Sequence, residues 1–346
     1  DRVGLHVGDP ESRITAGLLC IDLTEAVLDE AIHKRVNLVV AYHPPIFKPL
    51  TALTTLDPKQ RVIYRAAKHG IAIYSPHTAL DAAPGGVNDW LASGLGDGQV
   101  QPIKRSAPAE GSGFKLVTFV PTASVDRVRE AVCRAGAGRI GDYELCTFTS
   151  EGVGTFRGGA GTNPVIGRPG RLEQVGRRRK EVVVPRSKLS EVVSALRASH
   201  PYEEPAFDVY PLQPVADTDT GQGRVVTLDR PIALSTLVRR IKAHLKAKTL
   251  EVADAGSRRI RRVGLCAGAG GSLLDEAGPI DAFFTGEMRH HDVLAAVNRG
   301  ISVVLAGHTQ TERPYLPVYR RRLEKATGRA IQWAVSRADK APSSVV

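Results

Sequence analysis

The sequence predicts an α/β protein: a split core of parallel-type βα units carrying an inserted ferredoxin-like α+β domain. Three observations carry this. Short apolar runs alternate with amphipathic helical stretches over roughly the first hundred residues, the pattern of βαβ units. The same alternation resumes at residue 224 and runs to the end. Between them lies a segment with a different order, strand-helix-strand-strand-helix-strand, set off by turn-rich stretches. The domains are therefore read as 1–112 (core, first half), 113–214 (insert) and 215–346 (core, second half).

The elements follow in order. "AGLLCIDL" (16–23) is a buried strand, and Thr24 caps a helix over 25–35. "NLVVAY" (37–42) is the next strand, "KQRVIYRAAKHG" an amphipathic helix ending at Gly70, and "IAIYS" (71–75) a strand. Residues 96–112, rich in Gly, Ser, Pro and Ala, read as a linker. The insert comprises "FKLVTFVP", the helix "ASVDRVREAVCRAG", "YELCTFTSEG", a Gly-rich stretch (152–170), "EVVVP", the helix "SKLSEVVSALRASH" and "AFDVYPL". "VADTDTGQG" (215–223) is a second linker. Then come "RVVTL", a helix over 235–246, "RRVGLCAGAGGS", "DAFFTG", a helix over 288–299, "ISVVLAGH", a helix from about 309 and "AIQWAV".

Composition narrows the class. Hydrophobic residues make up 42% and charged residues 24%, enough for a sizeable core. No apolar run is long enough to span a membrane. The four cysteines (Cys20, Cys133, Cys146, Cys266) form no CxxC pair, which fits a reducing, cytoplasmic setting and argues against a cysteine-based zinc site. The chain opens at Asp1-Arg2 without methionine or a signal-like segment, so its natural start is expected to lie upstream. Net charge is +11, with basic clusters at Arg177–Lys180, Arg258-Arg259 with Arg261-Arg262, and Arg320–Arg322. These are either solvated faces or a surface for an anionic partner, whether a small anionic substrate or nucleic acid. Only 5% of residues are aromatic, which weakens a single-strand-binding reading.

Chemistry gathers at strand ends. In "VVAYHPPIF" (39–47) the two prolines stop the strand and leave His43 on a rigid corner. "PHTALDAAPGG" puts His77 and Asp81 after the strand 71–75, and "GHTQTE" puts His308 and Glu312 after "ISVVLA". In open α/β sheets, ligands collect beyond the carboxyl ends of strands. His308 and Glu312, four apart, share one helical face. Imidazole plus carboxylate without cysteine suits a divalent transition metal (zinc, iron, manganese or cobalt), as one or two ions, with Asp81 placed to bridge two. The competing reading is that His308 and Asp81 are helix caps. His290 and His291 lie on an amphipathic helix, with one expected to point inward. His77 and His291 are the candidate proton shuttles. "CAGAGGS" (266–272) is either an anion-cradling glycine nest or a tight turn. In "SHPYEEP", His200 and Glu203-Glu204 either reach a ligand or form a structural turn, the latter being preferred.

These stretches carry a resemblance. "AYHPPIFKPL", "IYSPHTALDAAPGGVNDWL", "DAFFTGEMRHHDVL" and "VVLAGHTQTER" resemble the Nif-three-like family, also called GTP cyclohydrolase 1 type 2 homologues. "GDYELCTF", "GTFRGGAGTNPVIG" and "SHPYEEPAFDVYPL" resemble its long form with an inserted domain. The resemblance implies a two-metal site in a cleft between the core halves, with ligands falling on His43, Asp81, His308 and Glu312. It also implies a homohexameric ring, a trimer of dimers. Many bacterial members have two adjacent histidines where this chain has Tyr42-His43, so a weakened second ion is expected, unless Tyr42 ligates as phenolate. Family members also carry a segment ahead of "DRVGL". The function expected is metal-dependent hydrolysis of a nucleotide-like or phosphorylated small molecule. The alternative is a non-enzymatic scaffold that binds nucleic acid or a transcription factor, the family name deriving from an interaction partner in transcription.

Overall fold

The computed structural model describes residues 2–106, 113–213, 219–256 and 259–343. The chain divides into two compact units, residues 1–106 with 217–346, and residues 107–216.

Among the described residues, the first unit is α/β and holds two larger sheets and a two-stranded ribbon. One has five strands in the order Gly4–Val7, Ala72–Ser75, Leu38–Ala41, Ala16–Cys20, Gln332–Val335. Its last four strands are parallel neighbours. The other has six strands in the order Glu251–Ala253, Ser302–Leu305, Ala282–Thr285, Ile260–Cys266, Arg224–Ile232, Gly98–Gln101. Here the three strands from Ser302–Leu305 to Ile260–Cys266 are parallel, and the flanking strands antiparallel. Each half of the core lends a strand to the other's sheet. The C-terminal Gln332–Val335 pairs with Ala16–Cys20, and Gly98–Gln101 pairs with Arg224–Ile232.

That second pairing corrects the linker expected over 96–112. Glycine and glutamine gave 98–101 a loop-like composition, but an antiparallel partner outside the window decides the outcome. Lys104–Arg105 pairs with Gly221–Gln222 in a short ribbon, so the second expected linker is also partly strand. Residues 107–112 and 214–218 of those stretches lie outside the described residues.

The parallel runs read as near-continuous apolar stretches because both faces are covered. Leu18 and Cys20 face a cluster with Val27, Leu28 and Ile63, while Leu19 and Ile21 face Val40, Leu91, Leu228 and Phe284. This second cluster draws on both sheets and ties them into one core. Each large side chain buried there contributes about 1.5–3 kcal/mol. The helix Glu25–His33 starts as expected, the Val27 amide donating to Thr24 Oγ1 at 3.3 Å. Its Glu30 accepts from Ser336 Oγ at 2.6 Å and from the amides of Arg337 and Ala338 at 2.9 Å, fastening the segment after the last strand.

The second unit runs strand-helix-strand-strand-helix-strand, through Phe114–Val120, Val125–Arg134, Thr147–Arg157, Leu172–Val184, Leu189–Ser199 and Phe207–Pro211. Its sheet order is Phe207–Pro211, Phe114–Val120, Leu172–Val184, Thr147–Arg157, antiparallel throughout. The strand Thr147–Arg157 runs into the Gly-rich stretch 152–170, and Leu172–Val184 begins well ahead of the expected "EVVVP", their mutual ladder overriding composition. The basic run here is not one solvated face: Lys180 is buried, and Arg178 and Arg179 pair with Glu151 and Glu181. No helix among the described residues is long and apolar enough to cross a membrane.

Candidate metal centre

The parallel ladder sets the first ligand. Tyr42 and His43 continue it past Leu38–Ala41, their amides donating to the carbonyls of Cys20 and Ile21 at 2.9 and 3.0 Å. Pro44 and Pro45 then end it, so the His43 side chain is held at the strand's carboxyl end. His308 opens the short helix His308–Glu312 directly after Ser302–Leu305 and Gly307, and Glu312 closes it.

These residues converge. His43 Nε2 lies 3.4 Å from Glu312 Oε2, and His308 Nε2 lies 3.2 Å from Glu312 Oε1. The imidazole centroids are 5.4 Å apart. Ligand atoms of His43, His308 and Glu312 all fall within 4.8 Å of one another, a set able to hold a metal ion. Each imidazole turns its other nitrogen to an outer carboxylate: His43 Nδ1 to Asp22 at 2.9 Å, His308 Nδ1 to Glu287 at 2.9 Å. This carboxylate–imidazole arrangement fixes ring orientation in metal sites and leaves Nε2 for the ion.

Two further observations fit a cation. Glu312 is buried, and its Oε2 makes no well-formed hydrogen bond, its ion-pair partner being His43 Nε2 at 3.4 Å. Gly268 closes over it with φ +62°, where an added Cβ would stand 2.6 Å from Glu312 Oε1 and 3.1 Å from His308 Nε2. Only glycine suits that approach and that backbone conformation. Thr311 holds the two elements together, accepting from the Gly268 amide at 2.9 Å and donating to the His308 carbonyl at 2.7 Å. The electrostatics agree. Burial alone would lower His43, but Asp22 and Glu312 outweigh it and hold it at about 10. Glu312 and Glu287, working against burial, raise His308 to about 9. Two protons thus occupy nitrogens that an ion would take, and binding must displace them.

Asp81 stands in the same cavity, of about 460 Å³, outside the three-ligand cluster. Its carboxylate accepts the Tyr42 hydroxyl. Burial, with Glu312's charge adding, raises Asp81 to about 7. Burial and the Asp81 charge push the Tyr42 phenol well above its ordinary value. Tyr42 is thus a buried donor to Asp81, and the structure gives no support to the phenolate ligand considered from sequence. Asn88 positions this wall: its Nδ2 donates to the Asp81 carbonyl at 3.1 Å and its Oδ1 accepts from the Ala267 amide at 2.9 Å. Nearby, buried Arg224 pairs with Asp89 and donates to the Gly221, Gly223 and Ala82 carbonyls.

His77 lines the cavity, its ring 5.9 Å from that of His43. Burial and the neighbouring His43 lower it, which favours a neutral imidazole able to accept a proton. His291 does not line this cavity. It is exposed at the start of the helix His290–Asn298, its ring 5.6 Å from that of His290, which is exposed too. The expectation that one of the pair points inward fails because the helix buries only Ala296, about a turn and a half further on. In the glycine nest, Cys266 lines the cavity as a thiol pushed by burial up to about 12. Sequence reading missed Asp22 and Glu287. Both follow strands whose other neighbours had already supplied ligands, which was the available signal.

A family profile for Duf34/NIF3 (NGG1p interacting factor 3) matches residues 1–342. The chain belongs to the Duf34/NIF3 family. Among NIF3 relatives, the GTP cyclohydrolase 1 type 2 homolog of Halalkalibacterium halodurans is 39% identical over 311 residues, covering 89% of this chain and 82% of that protein. NIF3-like protein 1 of Rattus norvegicus is 35% identical over 355 residues, covering 100% and 87%. The crystal structure of a Bacillus cereus protein related to NIF3 superposes with a TM-score of 0.75 at 34% identity, covering 100% of this chain and 93% of that one. The NIF3 fold thus extends over both units of the chain.

Proposed function

We propose that this chain is a metal-dependent hydrolase of a small nucleotide-like or phosphorylated molecule. The observation that carries the reading is the convergence of His43 and His308 on Glu312, each imidazole backed by its own carboxylate. His43, His308 and Glu312 would hold the ion, with Asp81 the wall residue nearest to serving a second. A divalent metal bound there supplies Lewis acidity and lowers the pKa of water toward neutrality. Asp22 and Glu287 keep both imidazoles oriented. His77, neutral and facing the same space, is the group suited to take or return a proton at its ring nitrogen.

Among the described residues, no lysine or arginine lines the cavity at Asp81. A neighbouring cavity of about 580 Å³ shares His43, Pro44 and Phe47 with it and carries Lys59 and Lys340 alongside Asp22, which is engaged by His43, and Glu25. An anionic group seated against these lysines would leave the rest of the molecule at the ligands. Hydrolysis of a nucleotide is also in keeping with the name of the bacterial relatives.

The test is elemental analysis of the full chain, then a panel of nucleoside triphosphates and phosphomonoesters. Wild type is compared with the double variant His308→Ala, Glu312→Ala. Metal and turnover are expected to disappear together in the folded variant. Unchanged metal content would refute the site, and a loaded wild type without turnover would refute the hydrolase reading.

A second reading, an oligomeric scaffold, is favoured by one feature. Phe148, Val153 and Leu172 stand exposed on the paired strands of the inserted unit. A hexameric mass by light scattering that falls on Phe148→Ser with Leu172→Ser would support it.

A further inference from the structure

A second cavity is made entirely from residues of the inserted unit and has a volume of about 290 Å³. Its walls come from the end of Thr147–Arg157, the loop that follows, Leu172–Val184 and the "PYEEP" turn. The size suits a small organic molecule rather than a nucleotide.

One wall presents Arg177. Its guanidinium carbon lies 5.5 Å from the Phe156 ring centroid and 5.1 Å from that of Tyr202. The adjacent Arg178 and Arg179 each have a glutamate partner. Among the described residues Arg177 makes no ion pair, and its Nε is buried without a hydrogen-bond partner. The Tyr202 hydroxyl is likewise buried and unpartnered. Both residues line this cavity, and a bound acceptor, water or ligand, is the usual resolution of such donors. Aromatic contacts hold the guanidinium in a set orientation, which favours recognition of a planar anion by its fork of N–H groups.

The turn opposite is fixed by its own hydrogen bonds. His200 Nδ1 accepts from the Tyr202 amide at 3.1 Å, so His200 serves the turn rather than a ligand. Glu203 Oε1 accepts from the Asn163 amide at 3.3 Å, drawing the loop over the cavity. Glu203 and Glu204 put negative charge on the lining, while Val165 and Ile166 add an apolar surface that is otherwise exposed. Two carboxylates disfavour a dianionic phosphate and favour a group that can donate to them.

We propose that this cavity binds a small monocarboxylate bearing a flat apolar body and a hydrogen-bond donor such as an amine. Arg177 takes the carboxylate, Val165 and Ile166 take the body, and the glutamates take the donor. The assignment is independent of the metal centre.

The probe is 4-amino-2-fluorobenzoate, observed by ¹⁹F NMR line broadening with the full chain. Its neutral carboxamide serves as control. Saturable binding at about 1 mM or below is expected. It should weaken about tenfold or more for the carboxamide and in Arg177→Met. Tyr202→Phe should weaken it severalfold. His308→Ala with Glu312→Ala should leave it unchanged, excluding capture of the carboxylate by the metal ligands. If Arg177→Met fails to fold by circular dichroism, Arg177→Lys and Tyr202→Phe decide. Absence of saturable binding to wild type would overturn the proposal. So would equal binding of acid and amide, indifference to the variants that fold, or loss only in the metal-ligand variant.

Discussion

The Tyr42 hydroxyl donates to the carboxylate of Asp81, with Tyr42 buried and Asp81 half-buried, and both line the cavity of His43, His308 and Glu312. A carboxylate beside the three-ligand cluster is thereby engaged by a neutral donor. Replacing Tyr42 with histidine removes that donor and offers an imidazole beside His43. Tyr42→His is expected to raise metal stoichiometry from about one toward two ions per chain. Elemental analysis of protein loaded and then desalted reads the result. Two ions at full occupancy in wild type would show that the tyrosine limits nothing.

The outer carboxylates should matter almost as much as the ligands. Asp22→Asn and Glu287→Gln keep side-chain shape but weaken the orientation of His43 and His308. Each is expected to lower metal affinity about 10- to 100-fold while leaving the melting temperature of the metal-free protein within a few degrees of wild type. Competition with a chromophoric chelator measures this. Unaltered affinity in both variants would reduce these contacts to surface pairing.

Gly268→Ala tests the approach of the glycine turn. At φ +62° a side chain costs about 1–2 kcal/mol, and the new Cβ would also press on Glu312 Oε1. Metal affinity is expected to fall about tenfold or more, with a melting temperature lower by a few degrees. A variant that melts lower but binds metal as tightly would place the effect in the turn alone.

Glu30 supplies the pH test. Burial works to raise it, but Lys34, Ser336 and the amides of Ala338 and Arg337 prevail and hold it at about 2, below its ordinary 4.5. A depressed carboxylate stabilises the fold above its unfolded value, and that stability is lost as pH falls toward the folded value. Glu30→Gln should therefore have a lower urea midpoint than wild type at pH 7. The gap should narrow from about pH 4.5 downward and close toward pH 2. A gap independent of pH would mean that shape rather than charge is responsible.

Deleting 107–218 and joining Ser106 to Asp219 through a short Gly/Ser link should leave a soluble core that still binds metal. The Lys104–Arg105 and Gly221–Gln222 ribbon brings the cut ends together, and the Ser106 amide donates to the Thr220 carbonyl at 2.9 Å. All proposed ligands lie in the retained unit. An aggregated, metal-free product would show the insert to be integral to the core.

The strand-end argument found His43, His308 and Glu312 because parallel sheets deliver loops to one edge, a rule readable from the order of elements. The same rule reaches Asp22 and Glu287, which also follow strands, but not their bonds to the imidazoles, since sequence does not say which ring nitrogen turns outward. Tyr42 posed the same difficulty: its place beside His43 was visible, its bond to Asp81 was not. Gly98–Gln101 was lost to composition, because its strand character comes from a partner more than a hundred residues away. His291 misled by its periodicity, which carries no information on how little of that helix is buried.

The exchange of strands between the halves also orders events in time. As the chain leaves the ribosome, the strands around His43 come first, but their sheet lacks Gln332–Val335 until the end. Gly98–Gln101 waits for Arg224–Ile232, while the inserted unit has all its strands before either wait is over. His308 and Glu312 are translated late, so a nascent chain stalled before them has no centre to fill. An ion held by these side chains would therefore be captured only after Glu312 is made, and shorter fragments would forgo the stabilisation that it gives.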